Sequence, residues 1–289
     1  MTSSTSRLSE IAARLRERRT PARLVGLRGA ARAVAIARLL EAQPEAPALV
    51  IAIGAKAADA LLEDLRLVLG EPRPEQGGRV RAFPAHDTTP YDRFSPQPFV
   101  VAQRMDVLHR LAAFDRGAHA GPPPVVVAPW TALAPRVPSR EAVLRASLAV
   151  VRGEALDRDG FVGALVAAGY ARQSVVEERG EVAVRGGVVD FFPPHLARPV
   201  RIELFGDEVE SLREFDPASQ RSQAELERVV APPPRELLVT RELAIERGDA
   251  IRAAALTQGV AAREADQLID GLLRGSLPPG AEALAPLIQ

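Results

Sequence analysis

Three stretches of this sequence carry residues whose types and spacing could do chemistry. The first is GLRGAARA, residues 26–33. It falls on the phosphate-loop pattern G-x-x-x-x-G-K-[ST], in which glycines let the backbone close over phosphates, lysine reaches the terminal phosphates and a hydroxyl holds Mg²⁺. With Gly26 as the opening glycine, the closing glycine falls on Ala31, the lysine on Arg32 and the hydroxyl on Ala33. A methyl at Ala31 obstructs the close approach, Ala33 cannot ligate a metal, and Arg32 keeps charge without lysine's compact shape. Downstream, VVVAPW offers no acidic pair to hold a metal. The pattern predicts a degenerate loop without nucleotide hydrolysis; weak anion binding at the helix N-terminus and an intact site are the alternatives. The spacing also misses the dinucleotide fingerprint G-x-G-x-x-G.

The second stretch is FPAHDTTPYDRFSPQPFVVAQRMDVLHRL, residues 83–111. His86, Asp87, Tyr91 and Asp92 could be imagined as a catalytic cluster, but no nucleophile partners them and His86 has no metal-ligand companion at usable spacing. An ordered surface loop packed by Phe83, Tyr91 and Phe94 is the plainer expectation. His109 follows in a helix, where a solvated or capped role is expected. No metal site or cofactor is expected anywhere.

The third stretch is EVAVRGG, residues 181–187, with its surroundings. Strand alternation puts Glu181, Ala183 and Arg185 on one face and Val182 and Val184 on the other. Arg201 and Glu203 share a face in the next hairpin, opposite Ile202 and Leu204. Arg172, Arg179, Arg185 and Arg201 could therefore line one polar sheet surface. Planar guanidiniums are suited to carboxylates on another protein; an ordinary solvated sheet face is the alternative.

These groups need elements to hold them. RLVGL reads as a strand and AARAVAIARLLEA as a helix. APALVIAIG is an apolar run expected to be buried on both faces. AKAADALLEDLRLVLG and FVVAQRMDVLHRLAAFDRG have helical spacing; RVRAF and PPPVVVAPW contain strands. An amphipathic helix is expected over Leu8–Arg19. Strands alternating with helices imply a mostly parallel sheet. Near residue 147 the pattern changes. A strand, SLAVVRGEAL, and an Asp-capped helix, DRDGFVGALVAAGY, precede two hairpins, expected to turn at Arg179–Gly180 and Gly206–Asp207 with a bulge at Gly186–Gly187. The expected division is an α/β domain over 1–146, an inserted α+β domain with antiparallel sheet over 147–232, and a helical return to the first domain over 233–289.

Composition narrows the function further. The chain has 289 residues, 37 basic and 37 acidic, and no cysteine. Zero net charge argues against a strong DNA grip by this chain alone. Absent cysteines exclude disulfides and thiolate metal sites and fit a cytoplasmic protein. Lys56 is the only lysine, so arginine abundance reflects a coding bias rather than a binding signal. No apolar run is long enough to span a bilayer.

VEERGEVAVRGGVVDFFPP, RPVRIELFGDEVESLREFDPASQRS and FPAHDTTPYDRFSPQPFVVAQR strongly resemble the N-terminal, UvrB-like region of the bacterial transcription-repair coupling factors, and GSLPPGAEALAPLI looks like the end of that region. The resemblance implies a helicase-like α/β fold with an inserted UvrA-binding domain. It implies a non-catalytic module that recruits the nucleotide-excision-repair protein UvrA to stalled transcription complexes. The family's ATP-dependent translocase motor, and its contacts to RNA polymerase and double-stranded DNA, lie in other regions. A DNA-binding or weakly nucleotide-binding UvrB-like module is the alternative. Carried over by motif, Arg185, Arg172 and Phe192 match UvrA-contacting positions, with Arg179 and Arg201 as weaker matches. Ala183 departs from the UvrB pattern, which has an arginine there. The family also implies masking of this surface by a distant C-terminal domain.

Overall fold

The structure is a computed structural model that describes residues 11, 13, 21, 23–73, 78–89, 94–114, 122–275 and 277–288. The expected helix over Leu8–Arg19 lies almost wholly outside the described residues, as do Tyr91 and Asp92. The chain divides into two compact units, Met1–Ala85 with Ala113–Ala134, and His86–Ala112 with Pro135–Gln289.

The first unit contains α1 (Ala31–Glu41), β1 (Ala48–Ala52), α2 (Ala55–Leu69), β2 (Val80–Ala82) and β3 (Val125–Pro129). The three strands are parallel in the order β1-β3-β2. Central β3 is buried at every position, which is why its sequence is an uninterrupted apolar run. In α2, Ala58, Leu61, Leu62 and Leu65 recur at helical spacing and pack with Ala33, Val80, Val125 and Val127. Gly70 stops α2 in the left-handed region at φ 63°.

Two expectations for this unit are corrected. β1 is not buried on both faces: Leu49 and Ile51 are exposed while Ala52 joins the core. β1 alternates half-buried and exposed positions as far as Ala52, so one of its faces is left open, whereas β2 at the other edge buries Val80 and Arg81. RLVGL is not a strand either. Leu24 and Val25 are exposed and pair with no ladder, and the chain turns through Gly26 (φ 81°) and Gly29 (φ 52°) into α1.

The second unit opens with α3 (Pro98–Ala113), whose Val101, Met105 and Ala112 pack with Val143 of α4 (Arg140–Arg145) and with Leu238. β4 (Leu148–Val151) and β11 (Arg228–Ala231) form an antiparallel pair. Between them lie α5 (Arg158–Ala168) and a six-stranded sheet. Its strands are β5 (Ala171–Arg172), β6 (Glu181–Arg185), β7 (Val188–Phe191), β8 (Val200–Phe205), β9 (Glu208–Phe215) and β10 (Ser222–Glu225). Their order is β10-β9-β8-β7-β6-β5, antiparallel except for β5, which runs parallel to β6. Asp157 caps α5 by accepting the Gly160 amide at 3.1 Å, and Gly169 at φ 114° ends it. The buried Tyr170 hydroxyl donates to the Pro232 carbonyl at 2.9 Å. After β11, α6 (Arg241–Thr257) and α7 (Ala262–Leu273) pack through Ala244, Ile251, Ile269 and Leu272, with α8 (Ala285–Ile288) adding Ile288.

The first hairpin does not turn at Arg179–Gly180. Its two-residue turn is Gly186–Gly187, between β6 and β7, where Gly186 takes φ 61°. What looked like a bulge is the turn itself, and residues 173–180 are the connection from β5. The second turn falls at Gly206–Asp207 as expected, with Gly206 at φ 62°.

His109 on α3 carries a pH prediction. Burial lowers its pKa from 6.5; the Asp106 carboxylate opposes this, and the Arg110 and Arg228 charges reinforce it. Its Nδ1 lies 3.2 Å from Ser147 Oγ, and its ring centroid lies 6.2 Å from that of His195. The unfolded chain therefore binds this proton more readily than the folded one. The stability is complete above 6.5 and declines as pH falls from there toward the lowered folded value. Chemical denaturation between about pH 5 and 7 should show a shallower decline for His109→Gln than for the wild type.

Candidate partner-binding sheet

Register across β6–β9 sorts the side chains of the six-stranded sheet onto two faces. Val182 and Val184 lie beside Phe191 and Val189, which lie beside Val200 and Ile202. This face packs against Phe161, Val162 and Leu165 of α5 and forms the main core. On the other face Ala183 lies beside Asp190, and Asp190 beside Arg201.

That second face is not simply solvated. Ala183, Phe192, Phe215 and Val176 form a small buried cluster on it. Beside the cluster sits Asp190, only 1 % exposed. Arg201 donates to both its oxygens, Nε to Oδ1 at 2.7 Å and Nη2 to Oδ2 at 2.8 Å. Arg185 Nη2 donates to Oδ2 at 2.7 Å. The Asp190 hydrogen bond is the largest influence raising the Arg201 pKa. The Arg201 guanidinium also lies 4.5 Å from the Phe215 ring centre and donates to the Gln220 carbonyl at 3.2 Å. Gln220 itself holds a left-handed backbone at φ 59°, with its side-chain amide donating to the Pro217 carbonyl at 2.8 Å.

The arginines expected to line one surface are divided. Arg185, 48 % exposed at its side chain, and Arg201, 14 % exposed, share the Asp190 face. Arg201 is thus largely a fold-holding group, and Arg185 presents the reachable guanidinium. Arg179 lies in the connection before β6. It stacks 5.1 Å from the centre of the Phe192 ring and donates to the Leu196 carbonyl at 3.2 Å. Phe192 is buried beneath it and is not an accessible contact. Arg172 is exposed but falls in register with Val182, on the α5 side of the sheet. The parallel pairing of β5 decides this, and alternation along a single strand cannot report it.

Asp190 escaped the sequence reading. Its only signal was a lone carboxylate in the apolar run VVDFF, two residues before Phe192. In the 83–111 stretch His86 and Asp87 likewise serve the structure. His86 Nε2 lies 2.8 Å from Glu236 Oε1, and Asp87 Oδ1 accepts the Gln97 amide at 3.0 Å. Phe83 is buried, whereas Phe94 is exposed rather than packed. Among the described residues no group of three or more His, Asp or Glu could hold a metal ion, and no helix is long and apolar enough to cross a membrane.

This sheet, with its helix and the β4–β11 pair, defines a class: residues 148–237 match the UvrB interaction domain family. The similarity extends well beyond that domain. The chain is 38 % identical over 265 residues to the transcription-repair-coupling factor of Myxococcus xanthus, covering 91 % of the chain and 21 % of that protein. It is 34 % identical over 263 residues to that of Mycobacterium tuberculosis (89 % of the chain, 20 % of the relative). It is 33 % identical over 201 residues to that of Escherichia coli K12 (70 % and 17 %). The chain is a homologue of the bacterial transcription-repair-coupling factors that carries a UvrB interaction domain, and it spans about a fifth of the length of those relatives.

Proposed function

We propose that this chain is a non-catalytic docking module that recruits UvrA to stalled transcription complexes in the cytoplasm through the sheet of residues 171–225. The observation that carries the reading is the Asp190-ordered guanidinium of Arg185, exposed within the matched interaction domain. A pre-placed, half-exposed arginine loses little side-chain entropy on binding and retains donors for a partner carboxylate. Arg172 extends the surface on the α5 side. Arg179, Phe192 and Arg201 support it from beneath. We assign 1–146 to a UvrB-like α/β domain, 147–232 to the inserted domain and 233–289 to the helical return.

The reading of Gly26, Ala31, Arg32 and Ala33 as a degenerate phosphate loop belongs to the same proposal. It is supported by the amides that would cradle an anion: Ala31 N–H donates to the Arg28 carbonyl at 3.2 Å and Arg32 N–H to the Gly29 carbonyl at 3.3 Å. Ala33 is fully buried, so a hydroxyl there would face the core rather than a metal. ATP turnover, contacts to RNA polymerase and translocation on double-stranded DNA are assigned to the longer coupling factor outside this chain.

Titration calorimetry with purified UvrA tests the docking assignment. Arg185→Ala should weaken binding by about 2 kcal/mol, the scale of an interface hot spot, with the circular-dichroism spectrum unchanged. Wild-type affinity in Arg185→Ala would remove Arg185 from the interface. No measurable binding by the wild-type chain would overturn the function.

A further inference from the structure

A groove of about 570 Å³ opens between α5 and the β5–β6 edge, on the sheet face opposite Asp190. Val162 and Val184 line its apolar part, and Val166 stands exposed on its helical wall. Arg158, Asp159 and Arg172 line its polar part. Arg158 is fixed from two sides: Nε donates to Asp159 Oδ1 at 2.8 Å and Nη1 to the Gly186 carbonyl at 2.8 Å. That second bond ties the groove to the β6–β7 turn, one residue beyond Arg185. The Arg172 side chain makes no hydrogen bond or close ion pair among the described residues, and its charge acts on Asp159, the carboxylate that Arg158 already holds. Two guanidiniums therefore face one carboxylate, and the groove keeps an unneutralised positive charge above an aliphatic floor.

We infer that this groove is a second contact site for UvrA, receiving a segment that presents a carboxylate to Arg172 and an aliphatic side chain to Val162, Val166 and Val184. The inference rests on the docking function proposed above and adds residues of α5 to it. Charge and apolar complementarity select the occupant. A basic segment would meet Arg158 and Arg172 with like charge, and a purely polar one would leave the valines wet. The groove and Arg185 meet at the Gly186 turn, so one partner can span both faces around the sheet end.

The test uses the full chain and purified UvrA. Val166→Glu adds a charge at an exposed helix position, and Arg172→Glu reverses the unpaired guanidinium; both should leave the thermal midpoint within a few degrees of wild type. Each should weaken UvrA binding about tenfold or more in titration calorimetry. A photo-crosslinker at position 166 should attach to a UvrA peptide containing Asp or Glu next to Leu, Ile or Val. Wild-type affinity for Val166→Glu, with Arg185→Ala still weakened, would overturn the groove and leave the docking function standing, whatever the effect of Arg172→Glu. A crosslinked peptide that is basic or lacks aliphatic residues would overturn the assigned chemistry. Absence of any wild-type binding would remove both proposals together.

Discussion

Glu236→Gln should lower the unfolding free energy of the second unit by about 3 kcal/mol or more, one of the largest single-residue effects expected in this chain. Glu236 is 7 % exposed and faces Arg104, whose side chain is fully buried. Arg104 Nε and Nη2 donate to its two oxygens at 2.6 and 2.9 Å, and His86 Nε2 lies at 2.8 Å. The cluster joins the loop before α3, α3 itself and the connection from β11 to α6 after the Pro232–Pro234 run. Neutralising the carboxylate removes the charge that Arg104 Nε and Nη2 pair with in the interior and so weakens the compensation of its desolvation. Urea unfolding followed by circular dichroism measures the loss. A loss under about 1 kcal/mol would mean that the cluster behaves as a solvated pair. The double variant Arg104→Met, Glu236→Leu should recover much of it, because an apolar pair of similar volume has no charge to desolvate.

The same carboxylate fixes a pH window. Burial pushes the Glu236 pKa up, but hydrogen bonds from His86 and Arg104, with their charges, outweigh it and hold the group below its usual 4.5. Its contribution is therefore complete above 4.5 and is lost as pH falls through the lowered folded value. Glu236→Gln should abolish that part of the acid sensitivity. The loss attributed to His109 begins at higher pH, so the two are separable.

Asp190→Asn is the second large effect, a destabilisation of about 3 kcal/mol. Arg201, with little exposure, would lose the carboxylate that balances it, while Arg185 would turn to solvent at smaller cost. Arg185→Ala alone should change stability by less than about 1 kcal/mol, since its pair is half exposed. The contrast separates fold from function. Asp190→Asn should also weaken UvrA binding by releasing Arg185 from its set position, whereas Arg185→Ala should affect binding far more than stability. Unfolding midpoints for the two variants, compared with their UvrA affinities, decide the matter. Equal stability losses would contradict the division of roles drawn here between Arg185 and Arg201.

Much of the fold was legible because the relevant signals are local. The apolar spacing of α2, the Asp157 cap and Gly169 stop of α5, and the Gly206–Asp207 turn each depend on residues within a few positions of one another. The misread elements depended on neighbours far along the chain. RLVGL has strand composition but no ladder partner, and β1 has a core strand's apolarity at a sheet edge. The Gly186–Gly187 pair is the local exception: bulge and turn share glycine's positive φ, and only the pairing of Arg185 with Val188 distinguishes them.

The candidate site divides along the same line. The sequence by itself determined which residues are arginines, that alternation sets Ala183 and Arg185 apart from Val182 and Val184, and that a glycine turn follows them. Only the tertiary structure decided that Asp190 lies beside Arg201 and takes Arg185 as well, that Phe192 is buried beneath Arg179, and that Arg172 faces α5 instead of joining the others. The physical reason is register. Side-chain alternation has a period of two along any one strand, but the partner of each residue and the shared face are fixed by the hydrogen-bond ladders that link β5 to β6, β6 to β7 and β7 to β8 in turn.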